Sequence, residues 1–284
     1  MTHIRDFFRK PARKVDDISN YPKSAEEIFH EQVQTGMAEH NRSPGGLLVS
    51  AIAAGLEVGF TLFLAGIVLT LFYDKVDSPS LHVWLALSYP IGFVFVVIGR
   101  SELFTEHTTL AVIPVLNGST NFLSLMKTWG LVFTGNLIGG YLMAFILTRI
   151  GPPMEIISIN SFHYLAHKMV DFSWSLILGS SIIAGWLMGL LSWLVTSSQE
   201  TISRILMVIL VTFLIGMGGL HHSIVGSIEV FAGVLTGGIS GNDYLHFQWW
   251  TTLGNIIGGV VFVSLIKFST IRLSEKDKNR EKEA

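Results

Sequence analysis

The chain has no cysteine, so disulfides, thiol catalysis and cysteine-based metal centres are excluded from the outset. Charge is scarce too: 14% of residues are Asp, Glu, Lys or Arg, against about 25% in a soluble domain. Half the residues are hydrophobic and the mean hydropathy is +0.53, which points to a membrane protein. The start lacks the pattern of a cleavable signal, because about 43 mostly polar residues precede the first apolar run. That run is expected to act as its own insertion signal.

What the chain does have is long apolar segments. Runs of spanning length, about 20 residues, fall at Gly46–Tyr73, Trp129–Ile150, Trp174–Val195 and Trp249–Phe268. Two more are interrupted: Trp84–Gly99 continues into Thr108–Leu116, and Ile205–Leu220 continues into Ile224–Leu235. Six spans are therefore expected. The hexapeptide Gly-Asn-Leu-Ile-Gly-Gly at Gly135 to Gly140 returns as Gly-Asn-Ile-Ile-Gly-Gly at Gly254 to Gly259, which marks a duplication of a three-helix unit. Duplicated units inserted with opposite topology place a substrate site at their interface near the midplane.

Gly55/Gly59, Gly135/Gly139, Gly185/Gly189 and Gly254/Gly258 are Gly-x-x-x-Gly pairs on the first and third helices of each half, a spacing that lets backbones approach closely in lipid. They offer more close-packing faces than one protomer needs, so a symmetric oligomer is expected. Asn136 and Asn255 recur at matched positions, and a buried amide must find partners. Their expected job is structural: to bond the irregular backbone of a neighbouring span. That backbone is the pair of polar interruptions, Gly99-Arg-Ser-Glu-Leu-Phe-Thr-Glu-His-Thr108 and Gly216-Met-Gly-Gly-Leu-His-His-Ser-Ile224. Irregular backbone at membrane depth must be buried in protein or line a cavity, so the pore is expected between residues 99–108 and 216–224.

Lys and Arg placement sets the expected orientation. One face carries Arg5, Arg9, Lys10, Arg13, Lys14, Lys23, Arg42, Lys127, Arg204 and a basic end made of Lys267, Arg272, Lys276, Lys278, Arg280 and Lys282. The other carries Lys75, Arg149 and Lys168. A multi-pass protein with both termini cytoplasmic follows. Residues 1–43 are expected as a cytoplasmic tail and 44–268 as the channel domain, with repeats at about 44–150 and 172–268. Residues 269–284 form a second cytoplasmic tail. Asp16, Asp17, Glu26 and Glu27 balance the basic residues of the first tail, which reads as solvated and partly helical rather than as a nucleic-acid patch.

At the two breaks the chain resembles the formate/nitrite transporter family. Glu102-Leu-Phe-Thr105 looks like that family's loop in its broken second helix, and His221-His222-Ser223-Ile224 looks like the Glu-His-Ser-Ile of its broken fifth helix. The Gly-Asn pattern of the third and sixth helices agrees, and Ala166-His167-Lys168-Met169 resembles the stretch that carries a vestibule lysine. The resemblance covers nearly all of residues 44–268. It implies an all-α integral membrane fold: six helices as two inverted repeats of three, aquaporin-like, with broken second and fifth helices. It implies a homopentamer in the inner (cytoplasmic) membrane, without a cofactor, conducting a small monovalent anion or its weak acid. Thr105 would be the loop threonine, His222 the central pore histidine and Lys168 the vestibule lysine. Phe93, Tyr89 and Ile215 fall at apolar constrictions, with Phe104 of the loop grouped with them. True aquaporins match less well, since Asn-Pro-Ala is absent. The chain also departs from the family's pattern: Arg100 stands where a small residue is usual, His221 replaces an acid, and Glu106 and His107 replace small polar residues. The asparagine expected in the fourth helix is missing from Leu176–Leu194.

A bare anion at the bilayer centre costs from about 3 to more than 10 kcal/mol. Protonating an acid of pKa near 3.5 at pH 7 costs roughly 5 kcal/mol. Crossing as the neutral acid competes if a proton donor is near, and His222 is the natural candidate. Other readings stay open. His222 is either this donor or a hydrogen-bonded structural histidine, and His221 orients or touches substrate. Arg100 either pairs with Glu102 or lines the pore, and Lys168 either serves the vestibule or snorkels at the interface. Phe93 and Tyr89 either gate or pack. Glu57, Glu102, Glu106 and Glu229 could line a cation path, which makes a pore for a small cation or a neutral solute the alternative function. His163 and His167, one helical turn apart, are the basis of a metalloenzyme reading. With so little support for that reading, no catalytic or metal residue is assigned.

Overall fold

The computed structural model describes residues 22–283, with side chains as far as Ser274. Arg5, Arg9, Lys10, Arg13, Lys14, Asp16 and Asp17 lie outside the described residues, as do the side chains of Lys276, Lys278, Arg280 and Lys282. The described chain is helical throughout. The helices are α1 (Ala25–His40), α2 (Pro44–Val58), α3 (Phe60–Phe72), α4 (Ser78–Ser88), α5 (Pro90–Gly99), α6 (Phe104–Leu110) and α7 (Val112–Leu116). They continue as α8 (Phe122–Ile150), α9 (Ile159–Val170), α10 (Trp174–Ser197), α11 (Thr201–Met217), α12 (Val225–Leu235) and α13 (Gly241–Gly259). A π-helical turn, Val260–Leu265, joins α13 to α14 (Ile266–Glu283).

Among the described residues, five stretches are long and apolar enough to cross a membrane: Pro44–Phe72, Ser78–Gly99, Phe122–Ile150, Trp174–Ser197 and Gly241–Ser274. Two shorter apolar helices, Thr201–Met217 and Val225–Leu235, follow one another across residues 218–224. In the first half, α2 packs on α8; in the second, α10 packs on α13. The glycines make this possible. A Cβ at Gly55 would strike the backbone of Asn136, one at Gly139 the backbone of Ile52, one at Gly185 the backbone of Asn255 and one at Gly258 that of Ile182. All four Gly-x-x-x-Gly pairs therefore have neighbours inside the protomer, which leaves no spare glycine face for the expected oligomer contact.

Where helices begin near the aqueous ends, the chain supplies its own caps. Ser24, Ser43, Asp77, Asn121, Ser158 and Ser240 each accept a backbone N–H three residues on, which satisfies a donor that the helix leaves orphaned. The residues that precede the half-helices α6 and α12, Leu103 and Ile224, have no capping side chain to offer. Neighbouring helices provide it: Asn136 Oδ1 accepts from Phe104 N–H and Asn255 Oδ1 from Ser223 N–H, both at 2.8 Å. The same amides donate outward, Asn136 to the carbonyls of Ala51 and Glu102, Asn255 to those of Ser181 and His221.

The preceding half-helices end alike. Arg100 (φ 58°) and Gly219 (φ 57°) both take the left-handed conformation. Ser101 N–H returns to Val96 O and Leu220 N–H to Ile215 O, each at 3.0 Å, the closure of a Schellman turn. The spacing that carries Asn136 onto Asn255 carries Glu102 onto His221, Phe104 onto Ser223 and Arg100 onto Gly219.

The first tail is corrected over residues 25–40. Rather than standing in solvent, α1 lays Ile28, Phe29, Gln32, Val33, Gly36 and Glu39 against the bundle, with Ile113, Trp193 and Ile271 in the same apolar cluster. Gly36 allows the approach, since a Cβ there would meet Leu110 O and Pro114.

Candidate functional site

The two breaks meet at Thr105 and His222. Thr105, in the first turn of α6, and His222, just before α12, are both fully buried, and Thr105 Oγ1 lies 2.8 Å from His222 Nε2. The other ring nitrogen fixes the tautomer. His222 Nδ1 accepts the backbone N–H groups of Ile224 (3.3 Å) and Val225 (3.2 Å), so it carries no proton. Nε2 therefore holds the hydrogen and donates it to Thr105, which leaves the threonine hydroxyl able to donate onward. An imidazolium would need a proton on Nδ1, pointed at two N–H groups at the positive end of a helix.

Phe93 stands edge-on to His222, ring centroids 5.2 Å apart at 90°, and Tyr89 follows at 5.4 Å from Phe93. Beyond them lies a cavity of ≈ 30 Å³ lined by Tyr89, Ile215, Lys168 and Glu229 among others. That is room for little more than one or two waters. Lys168 comes from α9 and Glu229 from α12. Burial holds the Lys168 ammonium below the usual lysine range. Phe104 does not join this row: its ring packs on Phe133 and Trp129 of α8, at 4.9 and 6.0 Å.

His221 is turned away as well. Its Nε2 donates to Met169 O (3.1 Å), and its Nδ1 sits 2.9 Å from Ser180 Oγ, which also receives the His221 backbone N–H. With every polar atom engaged, His221 ties the break to α9 and α10.

At the end of the bundle that carries α1 there is a larger cavity, ≈ 660 Å³, lined by Arg42, Arg100, Glu102, Glu106 and Arg204 among others. Here one of the two alternatives for Arg100 falls away. Glu102 is not paired with Arg100: its Oε1 accepts from Arg42 at 2.5 Å and its Oε2 meets His107 Nε2 at 2.7 Å. Glu39 of α1 approaches the other face of the same imidazole, 2.8 Å from Nδ1, as an ion pair not aligned as a hydrogen bond. Arg100, exposed, makes no ion pair among the described residues. Glu39, Glu102 and His107 form a cluster of metal-ligand type, but the two carboxylates lie on opposite nitrogens of one ring, the arrangement of a bridged ion pair. No motif marks this chain of contacts, because Glu39 and Arg42 come from outside the duplicated unit.

The four acids of the cation path are split up. Glu102 is consumed by Arg42 and His107, Glu106 faces the larger cavity, Glu229 faces the smaller one, and Glu57 lies beside Gly99 with Oε2 buried and unbonded. Phe93, Thr105 and His222 separate the two ends. His163 and His167 do not converge either: the first bonds Thr236 O, the second Asp171.

A duplicated helical bundle whose broken helices bring two polar side chains together between cavities at opposite ends has the build of a membrane channel or transporter. The family model for the formate/nitrite transporter matches residues 26–269, and the chain belongs to that family, whose members are channels and transporters rather than enzymes. It is 31% identical over 277 residues to inner membrane protein YfdC of Escherichia coli strain K12, covering 96% of this chain and 87% of that one. Among solved structures it is similar to an FNT family ion channel (TM-score 0.77, 21% identity, 86% of this chain and 99% of that one). It is also similar to a pentameric formate channel with formate bound (TM-score 0.67, 20% identity, 81% and 98%).

Proposed function

We propose that this protein is a pore for a small monovalent anion of formate or nitrite type, or for its conjugate weak acid. It works in the inner membrane as a homopentamer with both termini in the cytoplasm. Residues 44–268 form the channel domain. Support for the setting comes from the inner membrane relative and the pentameric formate channel neighbour. The observation that carries the substrate reading is the Thr105–His222 pair at 2.8 Å, a hydroxyl freed to donate by a histidine that is itself held neutral.

The surroundings fit that substrate. Lys168 gathers anions at the smaller cavity and Arg100 at the larger one, where a cationic wall raises local concentration. Between them Phe93, Tyr89 and Ile215 form the apolar slit that penalises a bare charge. The Thr105 hydroxyl offers a hydrogen bond to either species at that point. With Nδ1 occupied as an acceptor, His222 can take part in proton linkage only through Nε2 and Thr105. Its first role is to orient that hydroxyl.

The test is flux into proteoliposomes with formate, nitrite, hydrosulfide, acetate and ammonium in parallel. Uptake of the small weak acids is expected, together with a loss of tenfold or more in Thr105→Val and His222→Ala, each checked for unchanged oligomer size. Ammonium flux without any of the acids would select the cation alternative and overturn this reading.

A further inference from the structure

We propose that Glu229 is the residue that hands a proton to the entering anion, with Lys168 holding the anion beside it. This deepens the weak-acid reading above and rests on it.

Glu229 is the acid that shares a cavity with Lys168. Its residue is 95% buried, being 5% exposed, yet no hydrogen bond or ion pair holds its carboxyl among the described residues. An unbonded carboxyl at this depth is costly unless it faces polar space. It does face such space: Glu229 lines the same small cavity as Lys168, and no ion pair closes across that cavity. The arrangement is an acid and a cation lining one space that admits a molecule of a few atoms.

The neighbours of α12 leave these two groups facing each other. From α9 comes Lys168, while His163 on the same helix is committed to Thr236 O. From α8 and α13 come Tyr141 and Tyr244, which bond each other and Ser227 rather than Glu229. Tyr89 stands on the cavity wall, and α3 brings no titratable side chain to this face. His222 lies beyond Tyr89 and Phe93 with its Nδ1 closed off by two backbone donors, so it is poorly placed to shuttle protons from water.

The step balances. An anion X⁻ enters and is held by the Lys168 ammonium. The O–H bond of the Glu229 carboxylic acid breaks as an X–H bond forms, giving HX and the Glu229 carboxylate. No electrons change hands. HX, now neutral, passes Phe93 to Thr105, and the carboxylate left behind takes its proton back from water at the cavity mouth. The net event is one proton carried per anion.

The test uses the full chain in proteoliposomes with formate as probe, recording formate uptake and internal pH together for wild type, Glu229→Gln, Glu229→Asp and Lys168→Met. In wild type, formate entry should bring in protons and slow as external pH rises. Glu229→Gln is expected to lose tenfold or more of this flux and to flatten its pH profile, with oligomer size unchanged. Glu229→Asp should restore coupling at a lower rate. Lys168→Met should raise the half-saturating formate concentration while keeping the pH profile. If Glu229→Gln transports formate with the wild-type rate and pH profile, Glu229 is not the donor, and the weak-acid reading survives. If wild type moves none of formate, nitrite, hydrosulfide or acetate, the reading fails and this inference falls with it.

Discussion

At the scale of the residue, Arg100 is where the two halves of the molecule disagree most usefully. Its counterpart Gly219 takes the same left-handed turn without strain, whereas an arginine at φ 58° carries a penalty of about 1–2 kcal/mol. Nothing in the described structure repays that penalty through a salt bridge, so the side chain's place on the larger cavity is its remaining use. Arg100→Gly should therefore raise thermal stability by on the order of 1 kcal/mol and lower anion flux. Melting curves and liposome flux on the same preparation check both halves, and a lower melting temperature would return Arg100 to a structural role. The paired asparagines predict the opposite pattern. Asn255→Ala strips Ser223 N–H and His221 O of the Asn255 partner and takes from Ser181 O the bond it makes beside its own helix. At about 1–3 kcal/mol for each buried group left unpaired, the variant should fail to accumulate as folded protein, while an exposed control such as Asn242→Ala behaves as wild type. The asparagines were legible in the sequence because a repeated amide in hydrocarbon has few possible employments. The tautomer of His222 was not, since it depends on two backbone N–H groups whose direction only the fold sets.

At the scale of the element, the breaks could be read in advance and the first helix could not. Polar residues at matched depth in two apolar runs announce a local departure from the helix; one half-helix starts within the expected segment, at Phe104, and the other one residue past it, at Val225. By contrast, α1 buries a narrow mixed stripe, apolar at Ile28, Phe29 and Val33 and polar at Gln32 and Glu39, too short and too mixed for periodicity to declare it buried. Its partners are also far away in sequence: Gln32 bonds Ser192, and Glu39 meets His107. This seat should depend on pH. Burial pushes the Glu39 carboxyl above its ordinary range, with His107 opposing the shift. A carboxyl raised in the folded state favours the docked helix below the ordinary glutamate value, and that contribution is lost as pH rises through the raised value. Docking of α1 should thus weaken from about pH 4.5 upward, read as growing proteolysis between α1 and α2. Glu39→Gln should flatten the dependence, and a pH-independent cleavage rate in wild type would remove Glu39 from the seat.

At the scale of the whole molecule, the question is which surfaces are left for neighbours once the protomer is built. The glycine-paired faces are not among them, because α2 closes on α8 and α10 on α13 over their full contact. The outward faces carry large apolar side chains instead, such as Leu176, Trp186, Leu210 and Trp249, and both lipid and a second protomer can cover these. A homopentamer is expected in native mass spectrometry at low detergent, through these outward faces. The glycines then discriminate between two kinds of assembly. If a Gly-x-x-x-Gly pair lay between protomers, Gly185→Leu would release folded monomers. If the pair lies within the protomer, a leucine driven into the Asn255 backbone should displace α13, pull the Asn255 amide away from the α12 break and abolish the folded protein. Size-exclusion profiles of Gly185→Leu beside Trp186→Ala, an outward neighbour on the same helix, separate these outcomes. The first should yield aggregate or no protein and the second folded material with its assembly intact or loosened. A clean, folded monomer from Gly185→Leu would overturn the packing of the second half.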